Sequence, residues 1–178
     1  SSADFPNGLA NRSGLVGKNL MLHPLGYVEG VFDDPIKSHI GPAGCSIFSQ
    51  EFYETNHRRG FLRGYTMQIL RGAGPMETAL SGFAMRKIPW GTEHHRSFRN
   101  RFNHIIGMGI IVEDLPESHN SVTLDDSLVD SNGIPAPKIN YKLSENSKKM
   151  LIHGLSKGKE VMQAAGSSDT FGLGPVRN

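Results

Sequence analysis

Ile105-Ile106-Gly107-Met108-Gly109-Ile110-Ile111-Val112 is an almost unbroken apolar run with two glycines inside it. Its length and β-branched content predict a central strand. Alternation sorts its side chains onto two unlike faces. Ile106, Met108, Ile110 and Val112 make a bulky face, whereas Ile105, Gly107, Gly109, Ile111 and the following Glu113 make a smaller one. Phe61 to Arg71 divides in the same way, with Phe61, Arg63, Tyr65, Met67 and Ile69 against Leu62, Gly64, Thr66, Gln68 and Leu70. A bulky face suits packing under helices. If the two strands are neighbours in the right register, Thr66 and Gln68 beside Gly107 and Gly109 leave a hollow with a few polar groups, where a small ligand can sit. A plainly solvated face is the other reading, and the register decides between them.

Outward from these strands, Leu25 to Phe32 predicts a strand interrupted by Gly26 and Gly30. Ile47 to Tyr53 and Phe61 to Leu70 predict an antiparallel hairpin joined through His57-Arg58-Arg59-Gly60. Met76 to Lys87 and Glu93 to His104 read as helices, and Ser121 to Leu124 and Lys138 to Leu143 as short strands around an Asp/Asn/Gly/Pro loop. The last helix is the clearest. Ser144 is its N-cap, Leu151, Leu155 and Met162 give a stripe with Gly154, Gly158 and Ala165, and Gly166 stops it. There is no βαβ alternation. The chain is therefore expected to be α+β, a mainly antiparallel sheet with helices packed on one face.

Composition excludes several classes. The 178 residues are 37% hydrophobic and 20% charged, with a net charge of +2, which rules out a disordered tail and a phosphate-tracking nucleic-acid surface. No apolar run reaches the roughly 18 residues of a membrane span. The single Cys45 excludes an internal disulfide framework and reads as a small buried residue. His94 and His95 are adjacent on a helix and do not face one another, so a metal site is not expected there. No nucleophile elbow or phosphate-binding glycine loop opens a helix, and Asp125, Asp126 and Asp130 fit a turn better than a calcium loop.

Val16-Gly17-Lys18-Asn19-Leu20-Met21-Leu22-His23-Pro24 resembles the Val-Gly-x-Asn-Leu-x-x-His-Pro segment of the glucose–methanol–choline (GMC) flavoprotein oxidoreductases. Asn7 to Leu15 is similar to the run-in of that family's bacterial dehydrogenases. Ser121-Val122-Thr123-Leu124 with Asp130-Ser131-Asn132-Gly133-Ile134-Pro135, and then Glu160 to Gly166, resemble its C-terminal region in the same order. The resemblance implies an FAD enzyme that oxidises a CH–OH group of an alcohol, polyol or sugar by hydride transfer to flavin, in the bacterial cytoplasm or periplasm. Residues 1–24 are then the junction from the FAD-binding domain, 25–166 the substrate-binding domain, and 167–178 a linker toward a missing C-terminal segment.

The resemblance places the FAD fingerprint before Ser1 and the catalytic histidine, with its His or Asn partner, beyond Asn178, so no catalytic residue is assigned here. Asn19 and His23 are expected near the cofactor, or else as groups that satisfy backbone in a buried turn. Thr66, Gln68, Gly107 and Gly109 are the expected substrate lining, with Gln68 orienting a hydroxylated substrate. The 178 residues alone are expected to be inactive. Partners are the missing FAD-binding segments, a small alcohol or sugar-type substrate and an electron-acceptor subunit. The alternative is a free-standing ligand-binding or protein-interaction module derived from that domain, without catalysis.

Overall fold

The predicted central strand is realised at its predicted limits, as β4 (Ile105–Val112), in a computed structural model that describes residues 4–41 and 44–174. Its neighbours are β1 (Leu25–Val31), β2 (Cys45–Ser49) and β3 (Tyr65–Leu70), each of which begins or ends within a few residues of expectation. The main sheet has five strands in the order β2-β3-β4-β1-β7, and every pairing is antiparallel. Helices α1 (Pro75–Ala84) and α2 (His94–Arg101) lie between β3 and β4. A separate hairpin of β5 (Ser121–Val129) and β6 (Pro135–Asn140) precedes α3 (Glu145–Ala164). The fold is α+β.

The fifth strand, β7 (Asp169–Leu173), corrects the reading of 167–178 as a linker. Thr170, Phe171 and Gly172 pair with Gly30, Glu29 and Val28, so this tail closes the sheet beyond β1. Phe171 and two glycines gave too weak an alternation to announce a strand. The sheet edge left by β1 supplies what propensity lacks. Residues 175–178 lie outside the described residues.

The bulky face of the sheet packs under α3, as expected. Met150, Leu151, Val28, Ile110, Met108 and Val112 form the core. Glycines bring the helix close. A Cβ on Gly154 would stand 2.5 Å from an Ile110 methyl, and one on Gly158 would stand 2.9 Å from a Val28 methyl. Ser144 caps α3 by accepting from the Ser147 amide at 3.0 Å. Helix α2 behaves differently, because its Arg101 forms an ion pair with Glu29 on the opposite face of the sheet.

Two further differences have plain causes. Cys45 is exposed, not buried, since it starts the edge strand β2 where the register with β3 shifts. Residues 61–64, expected in a strand, follow a short 3-10 turn (His57–Arg59) and join no strand. Gly64 there sits so close to the Tyr53 carbonyl that a Cβ would approach it to 1.9 Å.

Candidate functional site

Residues 17–24 cross one end of the sheet, stitched down by backbone bonds at Gly17, Leu20 and Pro24. The Gly17 carbonyl accepts from the Val122 amide at 2.6 Å, the Leu20 amide donates to the Asn120 carbonyl at 2.9 Å, and the Pro24 carbonyl accepts from the Val112 amide at 3.1 Å. Only glycine fits at Gly17, with φ at +80° and a Cβ position 2.3 Å from the Val122 oxygen. Asn19 also takes a left-handed φ of 55°, which its residue type tolerates.

Two buried polar residues anchor this crossing. Asp114, just beyond β4, accepts from the Leu22 amide at 3.3 Å and the Tyr141 hydroxyl at 2.7 Å on one oxygen, and from the Ser147 hydroxyl at 2.8 Å on the other. Asn120, fully buried, brackets Lys142 through its amide and carbonyl groups. Burial and the neighbouring Asp114 push the Tyr141 hydroxyl well above its usual range, so it stays a donor.

The crossing places His23 on the wall between two hollows. The larger, about 620 Å³, is lined by Leu22, Pro24, Leu25, Leu143 and Leu173 with the rings of Tyr27 and Tyr141. The smaller, about 300 Å³, has Met21, Tyr53, Thr66, Ile111, Glu113 and Asp114 around it. Behind them, on the face away from α3, Glu29 is buried against Arg101 of α2, and burial followed by the Glu29 carboxylate pushes the Tyr27 hydroxyl up to about 12.

The register decides the fate of the expected lining. Strands β3 and β4 are neighbours, but Thr66 pairs with Ile111, Gln68 with Gly109 and Leu70 with Gly107. Thr66 and His23 line the smaller hollow, whereas Gln68, Gly107 and Gly109 line neither of these two hollows. Gly107 is instead a seat for Tyr27, whose hydroxyl would lie 2.6 Å from a Cβ there. Above Gly109 stand methyls of Leu70 and Leu25 at 3.6 and 3.7 Å. The two hollows therefore lie toward the end of the sheet, and the space over Gly107 is filled by Tyr27. Tyr27, Glu29, Arg101, Asp114 and Tyr141 were missed by sequence reasoning. One signal was available, because a charged Glu29 inside a glycine-bearing apolar strand demands a partner.

The helix starts offer no ready pyrophosphate cradle. The Gly74 amide at the start of α1 is taken by the Glu77 carboxylate at 2.9 Å, α2 is preceded by Glu93, and α3 is capped by Ser144. Among the described residues no three His, Cys, Asp or Glu side chains group as a metal site. Asp125 and Asp130 instead cap turns, accepting from the amides of Ser127 and Leu128 and of Asn132 and Ile134.

No protein-family model matches the chain. It is 36% identical over 170 residues to 2-methyl-1,2-propanediol dehydrogenase of Mycolicibacterium austroafricanum, covering 95% of this chain and 31% of that protein. It is 26% identical over 172 residues to the fructose dehydrogenase large subunit of Gluconobacter japonicus, covering 92% of this chain and 29% of that one. The chain thus spans under a third of the length of these curated relatives, and along nearly all of its own length it is similar to proteins named as dehydrogenases.

Proposed function

We propose that this chain is the substrate-binding domain of a GMC-type flavoprotein dehydrogenase that oxidises a CH–OH group of an alcohol, polyol or sugar. The observation that carries the reading is the likeness to a diol dehydrogenase across 95% of the chain. When bound, FAD supplies the hydride acceptor. Residues 1–24 then lead in from the FAD-binding part, and the sheet from Leu25 to Leu173 forms the wall of the substrate site. The chain's own residues fit the flavin as a wall: Leu22, Leu25 and Leu173 present an apolar rim beside the exposed His23. Asn19 shapes the crossing that carries His23, and His23 with Thr66 orients the bound alcohol. The abstracted proton goes to a base supplied by another part of the protein.

A second reading, an interaction module without catalysis, draws on one observation. Met76, Leu80, Phe83 and Trp90 stand exposed on and just after α1, Trp90 at 84%. Such a patch calls for a covering partner, a place that the dehydrogenase reading assigns to an electron-acceptor subunit.

The test uses the full-length gene product, mixed without oxygen with a panel of alcohols, diols and sugars. The expected result is a yellow protein whose visible flavin absorbance is bleached by at least one member. A colourless full-length protein that binds no flavin overturns the dehydrogenase reading in favour of the module.

A further inference from the structure

The smaller hollow is bordered by more hydroxyl and ionisable side chains than its neighbour, although the lining surface of both is mostly apolar. Four of its lining side chains, His23, Tyr53, Thr66 and Glu113, make no hydrogen bond or ion pair within the described residues. Its other carboxylate, Asp114, already accepts from the Leu22 amide and from the hydroxyls of Tyr141 and Ser147. The site is held firmly. The Phe52 carbonyl accepts from the Tyr65 amide at 3.1 Å, and Glu113 is fixed by its own amide donating to the Gly64 carbonyl at 3.1 Å.

This unpartnered set mixes opposite roles. Glu113 is acceptor-only when ionised, Thr66 and Tyr53 carry hydroxyls that donate and accept, and His23 does either. An ammonium ligand brings only donors and leaves the hydroxyl hydrogens unmatched. An anionic ligand brings only acceptors and meets Glu113. A hydroxyl does both, and two neighbouring hydroxyls can donate to the two oxygens of one carboxylate. Across the His23 wall lies the larger, apolar hollow, which offers a place for the carbon body.

We propose that the smaller hollow is a subsite for the vicinal hydroxyls of a neutral diol or polyol, with Glu113 as their acceptor and Thr66 and His23 as flanking partners. As a statement about the substrate it rests on the dehydrogenase reading, whereas as a statement about binding it does not.

The test is calorimetric binding to the full-length protein, without turnover. The probes are a vicinal propanediol, its 1,3 isomer, the matching monoalcohol, an amino alcohol and a hydroxy acid. The vicinal diol is expected to bind most tightly. Glu113→Gln lowers its affinity roughly tenfold, because hydrogen bonds to a charged acceptor are the strong ones. Thr66→Val, which keeps the shape, lowers it about threefold. Unchanged diol affinity in both variants, or tighter binding of the amino alcohol or hydroxy acid, overturns the subsite. Diol binding that depends on Glu113, in a protein whose flavin no alcohol reduces, leaves the subsite standing and overturns the dehydrogenase reading.

Discussion

The two faces of the five-stranded sheet solve the same packing problem by opposite means. Under α3 the contacts are apolar and close, with Val28, Ile110, Met150 and Leu151 all fully buried and glycines on the helix to let the layers meet. Gly26 and Gly30 of β1 join that apolar seam, whereas on the other face the glycines lie in β4, and the space above Gly107 holds a phenol beside a buried ion pair, Glu29 with Arg101. A closed apolar face gives stability with little directional information. A face held by charge and hydroxyl groups fixes direction, and it lies next to the hollows at the sheet end. If the contrast holds, breaking the polar face should be at least as costly as disturbing the apolar one.

Arg101→Met is the sharpest test. It leaves the Glu29 carboxylate buried without its partner and should cost roughly 3–5 kcal/mol in denaturant unfolding. Adding Glu29→Met should recover most of that, because a buried pair replaced by apolar groups is often neutral. A double variant as unstable as the single one would show that Arg101 acts by packing alone. On the apolar face, Gly154→Ala gains about 1 kcal/mol of helix propensity but drives a methyl to 2.5 Å from Ile110, and a net loss of about 1–2 kcal/mol is expected.

Gly107 and Gly109 read alike in the sequence, and the structure separates them. Gly107→Ala must push the Tyr27 ring aside and should lower stability by about 1 kcal/mol, read as a lower thermal midpoint. Gly109→Ala meets only ordinary van der Waals contacts, and with less backbone entropy to lose it should be neutral or stabilising by a few tenths of a kcal/mol. Equal costs would mean the two positions are equivalent, as their alternation alone suggests.

That pair shows how far the sequence could be read. Alternation in Ile105–Val112 and Phe61–Leu70 was enough to assign the bulky face to a helix and the smaller one to polar company, because side-chain direction follows from local backbone geometry. That β3 and β4 are neighbours stood only as a condition in that reading, and the structure supplies it. Which glycine lies under which side chain depends on Tyr27, two strands away from Gln68, and no local pattern reports that. For the same reason His23 was found from its motif but its position between two hollows was not, since that is set by Asp114 and Asn120, residues remote from it in sequence. The β7 tail was missed because its pairing with β1 is a gain of tertiary structure, not of propensity.

The smallest expected effect concerns pH and returns to the closed face. There His153 of α3 is hydrogen-bonded through Nδ1 to the Tyr65 hydroxyl at 2.7 Å, edge-on to Phe52 and Phe61 with ring centroids 5.3 Å away in both cases. Burial first, then the charges of Arg59 and Lys157, hold its pKa below the ordinary 6.5. The unfolded chain therefore takes up this proton at a higher pH than the folded one. It follows that stability is flat above about 6.5 and declines as pH falls below it, until the folded form protonates as well. His153→Asn keeps an acceptor for Tyr65 but removes the titration, so the urea midpoint should change less between pH about 7.5 and about 5.5 than in the unaltered protein. Because His153 is only partly buried the difference will be slight. A wild-type midpoint that rises on acidification would reverse the sign and place a protonated, partnered imidazole in the folded state instead.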